Sequence, residues 1–118
     1  MRNIEQVNGW YNQALEMSDK LYALMGEIFN DNEIVSYNIE VDRWDSSVNV
    51  RVFALICFGK ASEELRELAG NFSAQVTFAE YTQKERIDTF IETVATDIKT
   101  FARRAGMVRD IVKKDNEK

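Results

Sequence analysis

The sequence predicts an α+β fold: a single domain in the order α-β-β-α-β-α, with a three-stranded sheet packed against two long amphipathic helices. Three features carry that expectation. Apolar residues recur every three or four positions at both ends of the chain, they alternate every second position in its middle, and 118 residues is the length of one domain. With 45% hydrophobic residues the chain can close its own core, so residues 1–118 read as one unit whose basic tail, 113–118, frays.

The first helix is expected from about Asn3 to Phe29. Ile4, Val7, Tyr11, Ala14, Leu21, Met25 and Ile28 form one stripe at helical spacing, interrupted only by Ser18. Trp10, Leu15, Met17, Tyr22, Leu24 and Phe29 widen it, which implies more than one neighbour. The run Asn30-Asp31-Asn32-Glu33 is rich in loop formers and ends the helix. Its two acids do not make a calcium loop, which needs further oxygen ligands and a glycine at its sixth position.

Tyr37, Ile39 and Val41 alternate with Asn38, Glu40 and Asp42, the pattern of a strand with one buried and one wet face. Asp45-Ser46-Ser47 is a short turn into Val48-Asn49-Val50-Arg51-Val52, which alternates and then becomes apolar on both faces through Phe58. The pair reads as a hairpin whose second strand is central in the sheet. A short helix from Ser62 to Ala69 follows, with Ser62 as N-cap and Gly70 as its stop. Phe72, Ala74, Val76 and Phe78 then alternate with Ser73, Gln75 and Thr77 in a third strand. Through the intervening helix, the second and third strands can be parallel neighbours with a right-handed crossover.

The last helix is the most regular segment. Ile87, Ile91, Val94, Ile98, Phe101, Ala105, Val108 and Val112 are spaced four and three in turn, a heptad stripe that starts from a capping box at Thr82 and Glu85. A compact domain of this size has a radius of gyration of about 13 to 14 Å and is roughly 35 Å across. The last helix, if unbroken to Val112, is about 46 Å long and overhangs such a globule. Its stripe, Ile98, Phe101, Ala105, Val108 and Val112, is then a surface for self-association, and a homodimer or a dedicated partner is expected. Gly106 after Arg103 and Arg104 spells the alternative, a helix that ends there without an overhang.

Composition removes much chemistry. Histidine is absent, and with it the commonest general base, the Ser-His-Asp and Cys-His arrangements and the usual zinc ligand sets. The lone cysteine, Cys57, sits in an apolar run, so no disulfide framework or paired-thiol metal site is available. The strand, glycine turn, lysine and helix of Val48 to Gly70 imitate a phosphate-binding loop. However, Ala54 stands where its first glycine belongs, Ala61 follows Lys60, and Glu63 and Glu64 fill the helix N-terminus that a phosphate would need. No cofactor, no metal and no catalytic residue are expected, and the chain is read as a non-enzyme. No stretch approaches the roughly 18 apolar residues of a membrane span, and Met1–Glu5 does not open a signal peptide, so a cytoplasmic location is expected.

Charge is unevenly placed on the net −5 chain. Residues 1–98 carry 8 Lys and Arg against 17 Asp and Glu, whereas residues 99–118 carry 7 against 3. Asn38, Glu40, Asp42 and Asp45 make an acidic strip, read as a partner-docking surface, a metal site or simply a charge-protected edge strand. Lys99, Arg103, Arg109, Lys113 and Lys114 make a basic helix face, read as a partner surface or as cations complementing the helix dipole. Trp10, Tyr11, Tyr22 and Trp44 read as packing anchors. The expected function is a small acidic protein-binding module that inhibits, sequesters or escorts another macromolecule, for instance a basic nucleic-acid-binding enzyme, as a homodimer. The alternatives are a small-ligand sensor and a nucleic-acid binder using the basic helix. The acidic body argues against direct nucleic-acid binding, and no membrane partner is expected.

Overall fold

The computed structural model describes residues 4–29, 35–56 and 70–116. Its elements are α1 (Ile4–Ile28), β1 (Val35–Arg43), β2 (Val48–Ile56), β3 (Asn71–Phe78), α2 (Lys84–Asp88) and α3 (Phe90–Asn116). The α+β class, the three-stranded sheet and the two long helices stand as read from the sequence. The expected helix at Ser62–Ala69, with Cys57 and the glycine turn before it, lies outside the described residues.

The sheet has the order β1-β2-β3, with β2 central, and both pairings are antiparallel. Val41 faces Val50 and Ile39 faces Val52 in the hairpin, which Trp44 N–H closes on the Ser47 carbonyl at 2.8 Å. The parallel crossover expected between β2 and β3 is corrected: Val52 pairs with Ala74 and Leu55 with Asn71 in an antiparallel ladder. The chain leaves β2 and enters β3 at the same end of the sheet, where Ile56 N–H donates to the Gly70 carbonyl at 3.2 Å. A parallel neighbour would have required the connection to travel back along the strand, and apolar alternation alone does not encode that choice.

Because paired residues share a face, the sheet has one apolar and one mixed side. Val48, Val50, Val52, Ala54 and Ile56 of β2 are all buried, together with Ile39 of β1 and Val76 and Phe78 of β3. Both long helices contribute to the core they form: Val7, Ala14, Met17, Leu21 and Met25 from α1, and Phe90, Val94, Ile98, Phe101, Ala105 and Val108 from α3. Tyr11 lies beneath Arg43, 5.8 Å from cation to ring centroid, and Phe29 lies 6.1 Å from Tyr37, so α1 runs antiparallel to β1. Phe101 meets Phe72 at 6.3 Å, and the Arg104 guanidinium lies against Gly70, so α3 runs antiparallel to β3. The two helices therefore run parallel to each other, from the hairpin end of the sheet to the opposite end.

The heptad stripe is used within the chain. Ile98, Ala105 and Val108 are fully buried, Phe101 is buried and Val112 is half-buried, so this stripe does not offer the exposed apolar strip expected for self-association. The helix also does not end at Gly106 but runs through it to Asn116. The capping box at Thr82 is corrected too: Gln83 is the N-cap of α2 and makes no side-chain cap bond, while Thr82 N–H closes a turn on Ala79. Thr89 separates α2 from α3, and its hydroxyl and its N–H both donate to the Glu85 carbonyl, at 2.8 and 2.9 Å. The molecule is elongated, with a radius of gyration of 17.3 Å and extents of 64 × 21 × 18 Å, rather than a globule about 35 Å across. A three-stranded sheet is only about 14 Å wide, so helices of this length lie along it and lengthen the molecule instead of rounding it.

Gly106 lies inside a helix, has no positive φ, and a Cβ placed there meets nothing within 4 Å. Gly106→Ala should therefore raise stability by about 0.5–1 kcal/mol, read as a higher urea midpoint at unchanged slope. A helix stop at this position would give a loss instead.

Candidate functional site

The face of the sheet turned away from the helices is the candidate site. Across it run four rows set by the register: Asp42-Asn49-Thr77, Glu40-Arg51-Gln75, Asn38-Phe53-Ser73 and Ser36-Leu55-Asn71. The stretch of β2 that is apolar on both faces puts Leu55, 50% exposed, and Phe53, half-buried, on this side. They form an apolar centre with small polar side chains on both flanks. A shallow recess of about 420 Å³ lies here, lined among others by Asn38, Phe53, Leu55, Asn71 and Ser73.

One end of this face is held by an ion triad. Arg51 Nη2 donates to Glu40 Oε2 at 2.7 Å and lies 3.2 Å from Asp42 Oδ2, and its guanidinium sits 5.4 Å from the Phe53 ring centroid. Strand alternation points Glu40 and Asp42 the same way, and the β1–β2 register sets Arg51 opposite Glu40. Two of the expected strip's three acids are thereby neutralised in part, leaving one net negative charge for the triad. Arg51 also fills the place that a metal ion would take between the two carboxylates, and among the described residues no three His, Cys, Asp or Glu side chains converge as metal ligands. In the next row Thr77 Oγ1 donates to Asn49 Oδ1 at 3.0 Å, which fixes β3 to β2 on this face. Asp45, the fourth member of the strip, is exposed in the hairpin turn, apart from the triad.

Tyr22 acts at the β1 edge, a role the sequence did not reveal. Its hydroxyl accepts from Ile39 N–H at 3.1 Å and donates its single proton to Asn38 Oδ1 at 2.9 Å, with the Ile39 carbonyl oxygen 3.2 Å away. A helix side chain thus occupies the outward-facing backbone of an edge strand and orients Asn38 on the open face. Its ring lies 6.3 Å from Tyr37.

The basic helix face forms on α3. Lys99, Arg103, Lys113 and Lys114 are exposed, while Arg109 is half-buried with its Nε 3.8 Å from the Asp110 carboxylate. Lys99, Arg103, Lys113 and Lys114 lie on the exposed side of α3, whereas Arg109 flanks the buried stripe with its Nε out of solvent, so the expected face does not hold together as one surface. Of the aromatics singled out, Trp10 and Tyr11 pack against the core and Trp44 is 62% exposed beside the turn. No helix among the described residues is long and apolar enough to cross a membrane.

No family model matches this chain, and neither the curated proteins nor the solved structures compared with it include one that is similar.

Tyr22→Phe deletes the hydroxyl and leaves the partly buried Ile39 N–H and carbonyl without it. A loss of about 1–2 kcal/mol in chemical denaturation is expected, and a change within error would mean that the hydroxyl does not hold this edge.

Proposed function

We propose that this protein is a non-enzymatic protein-binding module that docks another macromolecule on the open face of its sheet and works as a homodimer. The observation that carries this reading is the exposure of Leu55, with half-buried Phe53 beside it, on the central strand of the open face and flanked by the short polar side chains of Ser36, Asn38, Asn71 and Ser73. Apolar centres with polar rims are the anatomy of protein interfaces, in which a few large side chains supply most of the affinity. The face is also rigid. Its backbone belongs to a sheet buttressed by two helices, and the Arg51 triad and the Thr77–Asn49 bond hold side chains in place before any partner arrives, which lowers the entropy lost on binding.

The reading as a non-enzyme rests on the residue inventory. Histidine is absent, and the Glu40 and Asp42 carboxylates beside the candidate surface are engaged with Arg51 instead of standing in an apolar pocket that would make one of them an acid. The triad's single net charge narrows the acidic-strip reading: the partner meets an apolar centre first, and charge at the Glu40–Asp42 end sets its orientation.

Leu55→Asp and Phe53→Ser test the reading, with the wild-type chain as bait for cross-linking in lysate and the captured partner then titrated against each variant. Both variants should keep the wild-type circular dichroism and weaken binding by about 30-fold, as expected for loss of an interface anchor worth about 2 kcal/mol. Affinity unchanged in both would remove the open face as the docking surface.

A further inference from the structure

The sheet has two edges, and they are treated differently. At the β1 edge, Tyr22 occupies the outward N–H and carbonyl of Ile39, and the strand carries Glu40, Asp42 and Arg43. Among the described residues the β3 edge has neither safeguard. Asn71–Phe78 contains no charged residue and no proline, and charge, proline and covering are the usual means by which an edge strand avoids pairing with another chain.

The ladder shows which groups this edge presents. In an antiparallel sheet, the N–H and carbonyl of one residue point to the same side, and the next residue's point to the other. Ile39 turns outward to Tyr22, so its partner Val52 turns toward β3, and with it the other even-numbered residues of β2, as the bond from Ile56 N–H to Gly70 confirms. The odd-numbered residues of β3, Ser73, Gln75 and Thr77, therefore direct their N–H and carbonyl groups away from β2. Among the described residues no hydrogen bond covers them. Alongside lies a recess of about 430 Å³ between Gln75 and Thr77 on one side and Tyr81 and Arg86 on the other, so α2 flanks the edge without closing it.

We propose that β3 pairs antiparallel with β3 of a second copy, about a two-fold axis through Gln75, to give a continuous six-stranded sheet. This names the interface for the homodimer in the reading above, and it does not depend on the open face binding anything. The occupant is a second copy because the strand is complementary to itself. With Gln75 opposite Gln75, Ser73 meets Thr77, Ala74 meets Val76 and Phe72 meets Phe78. From Phe72 to Phe78 every polar residue then faces a polar one on the open side, and every apolar residue an apolar one on the core side. A shift of one residue sets polar against apolar along the whole strand, and a shift of two leaves Phe72 or Phe78 unmatched. Phe72 and Ala74, half-buried in one chain, gain cover from the partner copy's apolar side chains. A two-fold strand pair of this kind is closed and stops at two chains, since the other edge of each sheet is held by Tyr22.

Light scattering across a dilution series tests this. The wild-type chain should weigh twice the monomer at the concentrated end. Gln75→Pro deletes the central pair of intermolecular bonds while the even-numbered ladder to β2 keeps its own, so this variant should be a folded monomer. Gln75→Lys and Gln75→Glu place like charges opposite each other across the axis. Each should raise the dissociation constant about fivefold, and their equimolar mixture should return it to or below the wild-type value. Leu55→Asp, on β2, should dimerise like the wild type, so failure of partner docking and failure of strand pairing are told apart. A wild-type monomer at every concentration would overturn the proposal, as would a Gln75→Pro dimer or a charge-variant mixture no tighter than its components.

Discussion

Everything in this molecule depends on the two-residue alternation of β2. Val48, Val50, Val52, Ala54 and Ile56 present one continuous apolar row, and both long helices reach the core through it or through the strands paired to it. At roughly 25 cal/mol per Å² of apolar surface removed from water, a row of five buried residues at the centre of a sheet outweighs any polar interaction described on the surface. The alternation also decides what the other face can be. Each residue buried under the helices obliges its neighbours to point outward, and two of those neighbours, Phe53 and Leu55, are large and apolar. The open face is a geometric by-product of the core, formed at the cost of exposing Leu55.

Periodicity made much of this legible. The stripes of α1 and α3, the alternation of β1 and β3 and the central place of β2 all follow from apolar spacing, a local property of the chain. The features that escaped are non-local. The direction of β3 depends on which end of the sheet the chain re-enters, and the triad of Arg51 with Glu40 and Asp42 depends on a register across eleven residues of separation. Tyr22 reads as one more aromatic on a helix stripe. Only the antiparallel passage of α1 along β1 brings its hydroxyl to Ile39. The expected size failed for a related reason: it assumed a round domain, whereas two helices laid along three strands make a long one.

The dipole of α3 gives the basic tail a physical account. α1 ends beside Phe101, about 22 Å along the axis before α3 ends at Asn116, so the negative end of α3 stands apart from that of α1. The last turn of α1 has no basic residue, while α3 carries Lys113 and Lys114 in its own last turn and Arg103 and Arg109 just before it. The cations concentrate toward the negative end of α3, while Glu5 stands in the first turn of α1 and Glu92 in that of α3. The aromatic chain from Tyr22 through Tyr37, Phe29 and Phe101 to Phe72 spans the sheet from edge to edge, and so ties the end of α1 to the middle of α3.

The strand order equals the chain order, and this fixes a sequence of events during synthesis. A nearest-neighbour antiparallel sheet needs only short loop closures, so α1 and the first hairpin can assemble while the rest of the chain is still being made. The cover for Val76 and Phe78 comes later, because α3 follows β3 in the chain and leaves the ribosome after it. For that interval a nascent chain displays an uncharged strand with both its edge and its apolar face bare, next to identical chains on the same message. Only a turn and the short α2 separate β3 from the closing helix, and the brevity of that link limits how long the vulnerable state lasts.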